Sequence, residues 1–311
     1  MSIKKRFLEA IEVANSIILT THLHPDADGI GSQIALCLAL RQIGKKAICV
    51  NQLSLMTRYQ YLDKEKTIIS YKEYTHQYKN QDIDLFIVLD TNSLTRIGDE
   101  FKAIVRKSKN LLFIDHHPCA KEIAAIHCID TKKAATGELI GELIEGLPVK
   151  FTKDIALPLY TAILIDTSSF RYPTVTHSTH SMVAKLLKTG IKSSEAYVQL
   201  YGTKEISHIQ LLGEILNTSS INSQTNIAWI SLTEKQMKKY KTVLEDTHAF
   251  INHLLVLNNI KVVCMFRESG KFIKISFRSL GITNVGILAE ALGGGGHNHS
   301  AATVIEGDLN K

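Results

Sequence analysis

The sequence predicts an α/β protein, with an N-terminal doubly wound, mainly parallel sheet joined by a helical linker to a smaller α/β C-terminal domain. Three observations predict it. Short unbroken runs of Leu, Ile, Val and Phe alternate with helical patterns through the first half, as buried parallel strands and their crossovers do. A chain of 311 residues is long enough for two cores of ordinary size. After about residue 189 a polar, helical stretch interrupts the alternation, and a second, shorter series of strands and helices follows. The expected divisions are 1–188, a linker at 189–212, and 213–311.

Taken in order, Ser16–Thr21 is a short β-branched run, followed by a Gly-containing loop and an apolar-periodic helix over Gly29–Ile43. Strands are expected at Ala47–Val50, Asp84–Asp90, Leu111–Asp115 and Ile123–Ile129, and helices at Thr136–Glu145 and Lys153–Ile165. The second series begins with a strand at Asn226–Leu232 and a helix at Glu245–Leu255. It continues with paired strands at Ile260–Arg267 and Lys271–Arg278, a helix at Val285–Leu292, and a Gly-rich loop leading into a strand at Ala301–Ile305.

Composition excludes several classes. A hydrophobic fraction of 45% with 21% charged residues is globular rather than disordered. No apolar run approaches the roughly 18 residues that span a bilayer, so no membrane partner is expected. Lys4, Lys5 and Arg6 are followed by Glu9 and Glu12, which suits an amphipathic helix rather than a signal peptide. The 5 cysteines are odd in number and lack Cys-x-x-Cys spacing, which argues against a disulfide framework and a thiolate zinc site and points to a reducing cytoplasm. The net charge of +6 mildly favours an anionic partner.

In doubly wound sheets the binding crevice lies beyond the carboxyl ends of the strands, where His22, Asp90 and Asp115–His117 fall. Asp26 and Asp28 lie in the loop after the first strand; taken alone, they suit helix capping as well as ligation. Asp90, Asp115 and Asp166 each end an apolar run, and a tandem histidine adjoins one of them. Buried carboxylates need partners, so this many together is better explained by cations. A donor set richer in carboxylate than imidazole leans toward Mn²⁺ or Mg²⁺. Gly29 and Gly31 let the helix start close against the sheet. Cys119 lies near in sequence but has no positioned base, so a packing or supporting role is expected.

In the second half, Gly293–Gly296 and His297 offer backbone N–H groups suited to an anion, with a simple turn as the alternative. Residues 260–280 hold Lys261, Arg267, Lys271, Lys274 and Arg278 against the single acid Glu268. Arg278 with Ser279 suits a phosphate clamp, whereas the lysines suit a solvated strand face.

The segments HPDADGIGS, VLDT, DHHP and LIDTSSFRYP, in this order, resemble the motifs of the DHH phosphoesterase superfamily over roughly residues 16–180. FRS at Phe277–Ser279 and GGGH at Gly294–His297 resemble the type 1 DHH-associated domain. Here Ser300-Ala301-Ala302 replaces the usual ending in glycine, which bears on the geometry of that loop. The resemblance implies two divalent cations, one held by His22, Asp26 and Asp90, the other by Asp28, Asp90, His116 and Asp166, with Asp90 bridging. It makes His117 and Asp28 the catalytic candidates, with the roles of His116 and His117 open to exchange. It also implies substrate contacts from Arg278, Ser279, Gly294, Gly295, Gly296 and His297. The domain pairing is similar to that of the compact NrnA group, which implies hydrolysis of short RNA or linear dinucleotides, and of 3′-phosphoadenosine 5′-phosphate. A phosphatase acting mainly on that bisphosphate or another small phosphate ester, and a non-catalytic nucleotide-binding sensor, are the competing readings. A homodimer is left open.

Overall fold

The computed structural model describes residues 1–78, 81–118, 125–202, 204–243 and 247–309. The chain divides into two compact units, Met1–Gly202 and Thr203–Lys311.

The first unit is built on a sheet of strands β1 (Ser16–Thr20), β2 (Lys46–Asn51), β3 (Ile68–Ser70), β4 (Ile83–Leu89), β5 (Ser108–Asp115) and β6 (Ile126–Ile129). They pair in the order β3-β2-β1-β4-β5-β6, every pairing parallel. Its helices are α1 (Ile3–Val13), α2 (Ala27–Gln42), α3 (Tyr71–Gln77), α4 (Phe101–Lys107), α5 (Thr136–Ile144), α6 (Lys153–Asp166), α7 (His177–Leu187) and α8 (Ser193–Tyr201). Both sheet faces are covered. Leu85, Ile87 and Leu89 of β4 join the core under α2, α5 and α6, while Phe86 and Val88 point the other way, to Tyr74, Phe101 and Ile104 of α3 and α4. This is why Leu85–Leu89 of β4 reads as unbroken apolar residues without alternation. The strand order turns outward in opposite directions from β1 and β4, so a crevice opens beyond their carboxyl ends.

The second unit contains α9 (Ile206–Asn217), β7 (Ser220–Asn222), β8 (Ile227–Leu232), α10 (Glu234–Lys239), β9 (Val262–Ser269), β10 (Phe272–Ser279), α11 (Val285–Ala291), β11 (Gly295–His297) and β12 (Ser300–Glu306). Its sheet runs β11-β12-β10-β9-β8-β7, with β8 and β9 parallel and the other pairs antiparallel.

The mixed α/β architecture agrees with the sequence, and two local expectations are corrected, the helix over Glu245–Leu255 and the Gly-rich loop. β3 and β7, three residues each, the short helices α3, α4 and α10, and the helix α7 are additions. Where a helix was expected over Glu245–Leu255, the described part is a 3₁₀ segment, Phe250–Val256; Glu245 and Asp246 lie outside the described residues. The strand expected from Ile123 is described only from Ile126, and Cys119, Ile123 and Ala124 lie outside. The Gly-rich loop is partly a strand. Gly293, at φ 77°, ends α11, and Gly295–His297 pair with β12.

Candidate metal centre

Each acid at the sheet's end is placed by a different element. Asp26 caps α2, its Oδ1 accepting from Asp28 N at 2.9 Å and Gly29 N at 3.2 Å. Asp28 is buried, and its two oxygens accept from Thr136 N and Gly137 N, each at 2.8 Å, at the positive N-terminus of α5. Glycines permit the approach. A methyl on Gly29 would meet the Thr21 side chain, one on Gly31 the Pro158 carbonyl of α6, and one on Gly137 the Ala162 methyl. Gly29 therefore brings α2 to the sheet, as expected, and Gly31 brings it to α6 instead.

Asp90 follows β4 in the left-handed region, at φ 59°. Its Oδ1 accepts from Thr136 Oγ1 at 2.9 Å, and its Oδ2 lies 3.4 Å from His22 Nε2. Asp115, the last residue of β5, is fully buried and accepts from the backbone N–H groups of His116 and His117, from His117 Nδ1 at 2.6 Å, and from Asn92 Nδ2 at 2.8 Å. His116 Nδ1 lies 3.1 Å from the carbonyl of Lys133, which can only accept. The proton is thereby assigned to Nδ1, and Nε2 faces Asp166 at 3.2 Å, Asp28 at 3.8 Å and Asp90 at 4.0 Å. The two imidazoles meet edge to face and so point to different places.

Among the described residues, three groups bring ligand atoms within 4.8 Å of one another: His22, Asp26 and Asp90; Asp28, His116 and Asp166; and Asp90, His116 and His117. The electrostatics show what this crowding costs. Burial, then the charges of Asp90, Asp166 and Asp26, push the Asp28 carboxyl well above its usual range. Burial likewise lifts Asp166 to about 7, although His116 opposes it. Burial would raise Asp90 as well, but His22, His117 and His116 outweigh it and hold that carboxyl low. Burial would lower His117, yet Asp115 raises it to about 9. For His22, burial again opposes, and Asp90 raises it. Divalent cations fit this donor set: carboxylates that mutually disfavour ionisation converge with an imidazole whose Nε2 faces them.

The first unit thus brings together all of His22, Asp26, Asp28, Asp90, His116, His117 and Asp166. Sequence reasoning left Asp115 without a task and missed Asn92, Thr136 and Gly137. The TG pair that starts α5 was a usable signal, since helix N-terminal amides attract carboxylates.

In the second unit, Arg278 lies on β10, half-buried, its Nη1 donating to the carbonyl of Phe277. The register puts Arg278 beside Ser300 of β12, and Ser300 beside His297 of β11. Ser279 is fully buried; its Oγ donates to the Thr283 carbonyl at 2.6 Å and lies 3.0 Å from His299 Nδ1, so it ties β10 to the following loop. Gly294 N donates to Ala289 O, while Gly295 and Gly296 sit on the edge strand. A methyl on Gly294 would meet the Ala302 carbonyl and Thr303, so this close approach needs glycine.

Comparison with known proteins places these features. The model of the DHH family, N-terminal domain, matches residues 16–163, and that of the DHHA1 domain matches 236–311. The chain is 29% identical over 309 residues to the bifunctional oligoribonuclease and PAP phosphatase NrnA of Thermus thermophilus, covering 99% of this chain and 89% of the relative. It is 29% identical over 303 residues to the protein of the same name from Bacillus subtilis, covering 94% of this chain and 90% of that one. Among solved structures, an exopolyphosphatase-related protein from Bacteroides fragilis superposes with a TM-score of 0.90 at 28% identity, covering 99% of this chain and 92% of the other.

Proposed function

Since this chain belongs to the DHH family and carries a DHHA1 domain as well, we propose that it is a two-metal phosphoesterase. Its substrates in this reading are short oligoribonucleotides and linear dinucleotides, released as mononucleotides, together with 3′-phosphoadenosine 5′-phosphate. The observation that carries the reading is the convergence of Asp28, Asp90 and Asp166 on His116 Nε2 at 3.2–4.0 Å.

His22, Asp26 and Asp90 would hold one cation, and Asp28, Asp90, His116 and Asp166 the other, Mn²⁺ suiting the donors and Mg²⁺ being the alternative. Such a pair, when bound, supplies a water of lowered pKa and neutralises charge on the phosphoryl oxygens. Asp28, gripped by two α5 amides, is held in one orientation. Asp115 engages His117 at Nδ1 and leaves Nε2 to face outward from that contact. Asp115, 2.6 Å away, favours the protonated ring, and His117 would donate to a phosphoryl or leaving oxygen. Arg278, the glycines Gly294–Gly296 and His297 would bind the rest of the substrate, with Ser279 holding the base of that loop in place.

The test is product analysis on labelled dinucleotides, a pentanucleotide RNA and the bisphosphate, with purified protein and Mn²⁺. Mononucleotides are expected, with kcat/KM higher for the dinucleotides than for the bisphosphate. Asp90→Ala is expected to lower turnover by at least about 100-fold. Absence of Mn²⁺-dependent hydrolysis would leave the nucleotide-sensor reading in its place, and hydrolysis untouched by Asp90→Ala would overturn the assignment of the chemistry to this cluster.

A further inference from the structure

Glu138 lies on α5, is 1% exposed, and falls in none of the candidate ligand groups found among the described residues. A carboxylate this deep requires partners. It has four: Oε2 accepts from Ala134 N at 3.2 Å and Thr179 Oγ1 at 2.9 Å, and Oε1 accepts from Ser178 Oγ at 2.9 Å and lies 3.5 Å from Lys133 Nζ. Lys133 is also held by Glu142 at 2.5 Å and by Ser178 at 3.3 Å.

The atoms so fixed are not arbitrary ones. The carbonyl of Lys133 is the group that orients His116 through Nδ1. Two and three residues past Ala134 come Thr136 and Gly137, whose amides hold Asp28, and Thr136 Oγ1 reaches Asp90. The turn 133–137 therefore touches three of the proposed ligands, and Glu138 clamps its start to the N-terminal turn of α7 through Ser178 and Thr179. A merely structural carboxylate could satisfy α7 alone. This one spends an oxygen on the backbone amide next to the carbonyl that sets the His116 ring.

We infer that Glu138 is a positioning residue of the metal centre, holding the 133–137 turn so that His116 and Asp28 present their ligand atoms together. It acts through these ligands and does not touch substrate. The inference rests on the reading of His116 as a ligand, and the experiment separates the two.

Glu138→Gln keeps the shape but sets amide hydrogens against donors on one side. Mn²⁺ binding to the metal-free protein is measured by calorimetry, and the His116 ring tautomer by nitrogen NMR. The expected result is an affinity lower by about 10–100-fold and loss of the single Nδ1–H tautomer. Rescue is expected from Glu138→Asp only in part, its shorter arm reaching either the turn or α7. A fall in thermal midpoint with affinity and tautomer unchanged would overturn the inference, leaving Glu138 a packing residue. If Glu138→Gln fails to fold, Thr179→Val removes one donor to the same carboxylate and is expected to move both readouts by a few-fold; no change in either is equally fatal. His116→Ala runs in parallel. If it leaves Mn²⁺ binding intact, the ligand reading fails; if it abolishes binding while Glu138→Gln is silent, only the positioning role does.

Discussion

Asp90 concentrates the demands placed on single residues. It sits at φ 59°, where a side chain is uncommon, and there its carboxylate reaches His22 on one side and Thr136 on the other. Around it, titration of the metal-free protein has a definite sign. His117 rises from 6.5 to about 9 on folding, so the stability it contributes is complete below pH 6.5 and is lost as pH passes 9. Asp166 rises from 3.8 to about 7, a preference for the protonated folded state that is lost between those values. Both slopes run downward with rising pH. Chelator-treated protein is therefore expected to melt at a lower temperature at pH 9 than at pH 6, and His117→Asn to narrow that gap. Melting curves of the two proteins that stay parallel across this range would contradict the assignment.

At the scale of elements, α2, α5 and α6 meet through glycine, and this closeness is what lets Asp28 reach the α5 amides. Gly31 faces a backbone carbonyl that cannot rotate away, so Gly31→Ala is expected to destabilise by about 1–3 kcal/mol in chemical denaturation. Gly213, inside α9, has open space where its side chain would be. Gly213→Ala is expected to stabilise by about 0.5–1 kcal/mol, since it lowers only the freedom of the unfolded chain and improves helix propensity. Opposite signs from the same substitution separate close approach from mere helix propensity; a shared sign would refute the packing argument for Gly31.

For the whole molecule, the proposal divides labour between a unit that carries the acids and a unit that carries Arg278. Arg278→Ala is expected to raise KM for a dinucleotide by at least about 10-fold, the worth of a charge-assisted contact, with little change in hydrolysis of a small activated phosphodiester. Steady-state kinetics on both substrates check this, and equal losses on both would place Arg278 in the chemistry or the fold instead. Among the described residues no helix is long and apolar enough to cross a membrane.

Much of this was readable in the amino-acid order. Strands of the first sheet announce themselves because burial on both faces demands unbroken apolar runs, and Asp90 and His116 stand out because a charge at the end of such a run needs a reason. Three-residue strands such as β3 and β7 leave no period to detect, and Gly295 and Gly296 carry no side chain to alternate, so β11 passed for a loop. Glu138 looked like one more polar residue on a helix. What the sequence by itself determined was the fold class and the stock of donors, since both depend on local pattern and residue type. Tertiary structure alone decided which donors meet and what holds them: the contacts of Asp28 with Thr136 and Gly137, and of His116 with Lys133, join segments far apart along the chain, and only three-dimensional packing sets those distances.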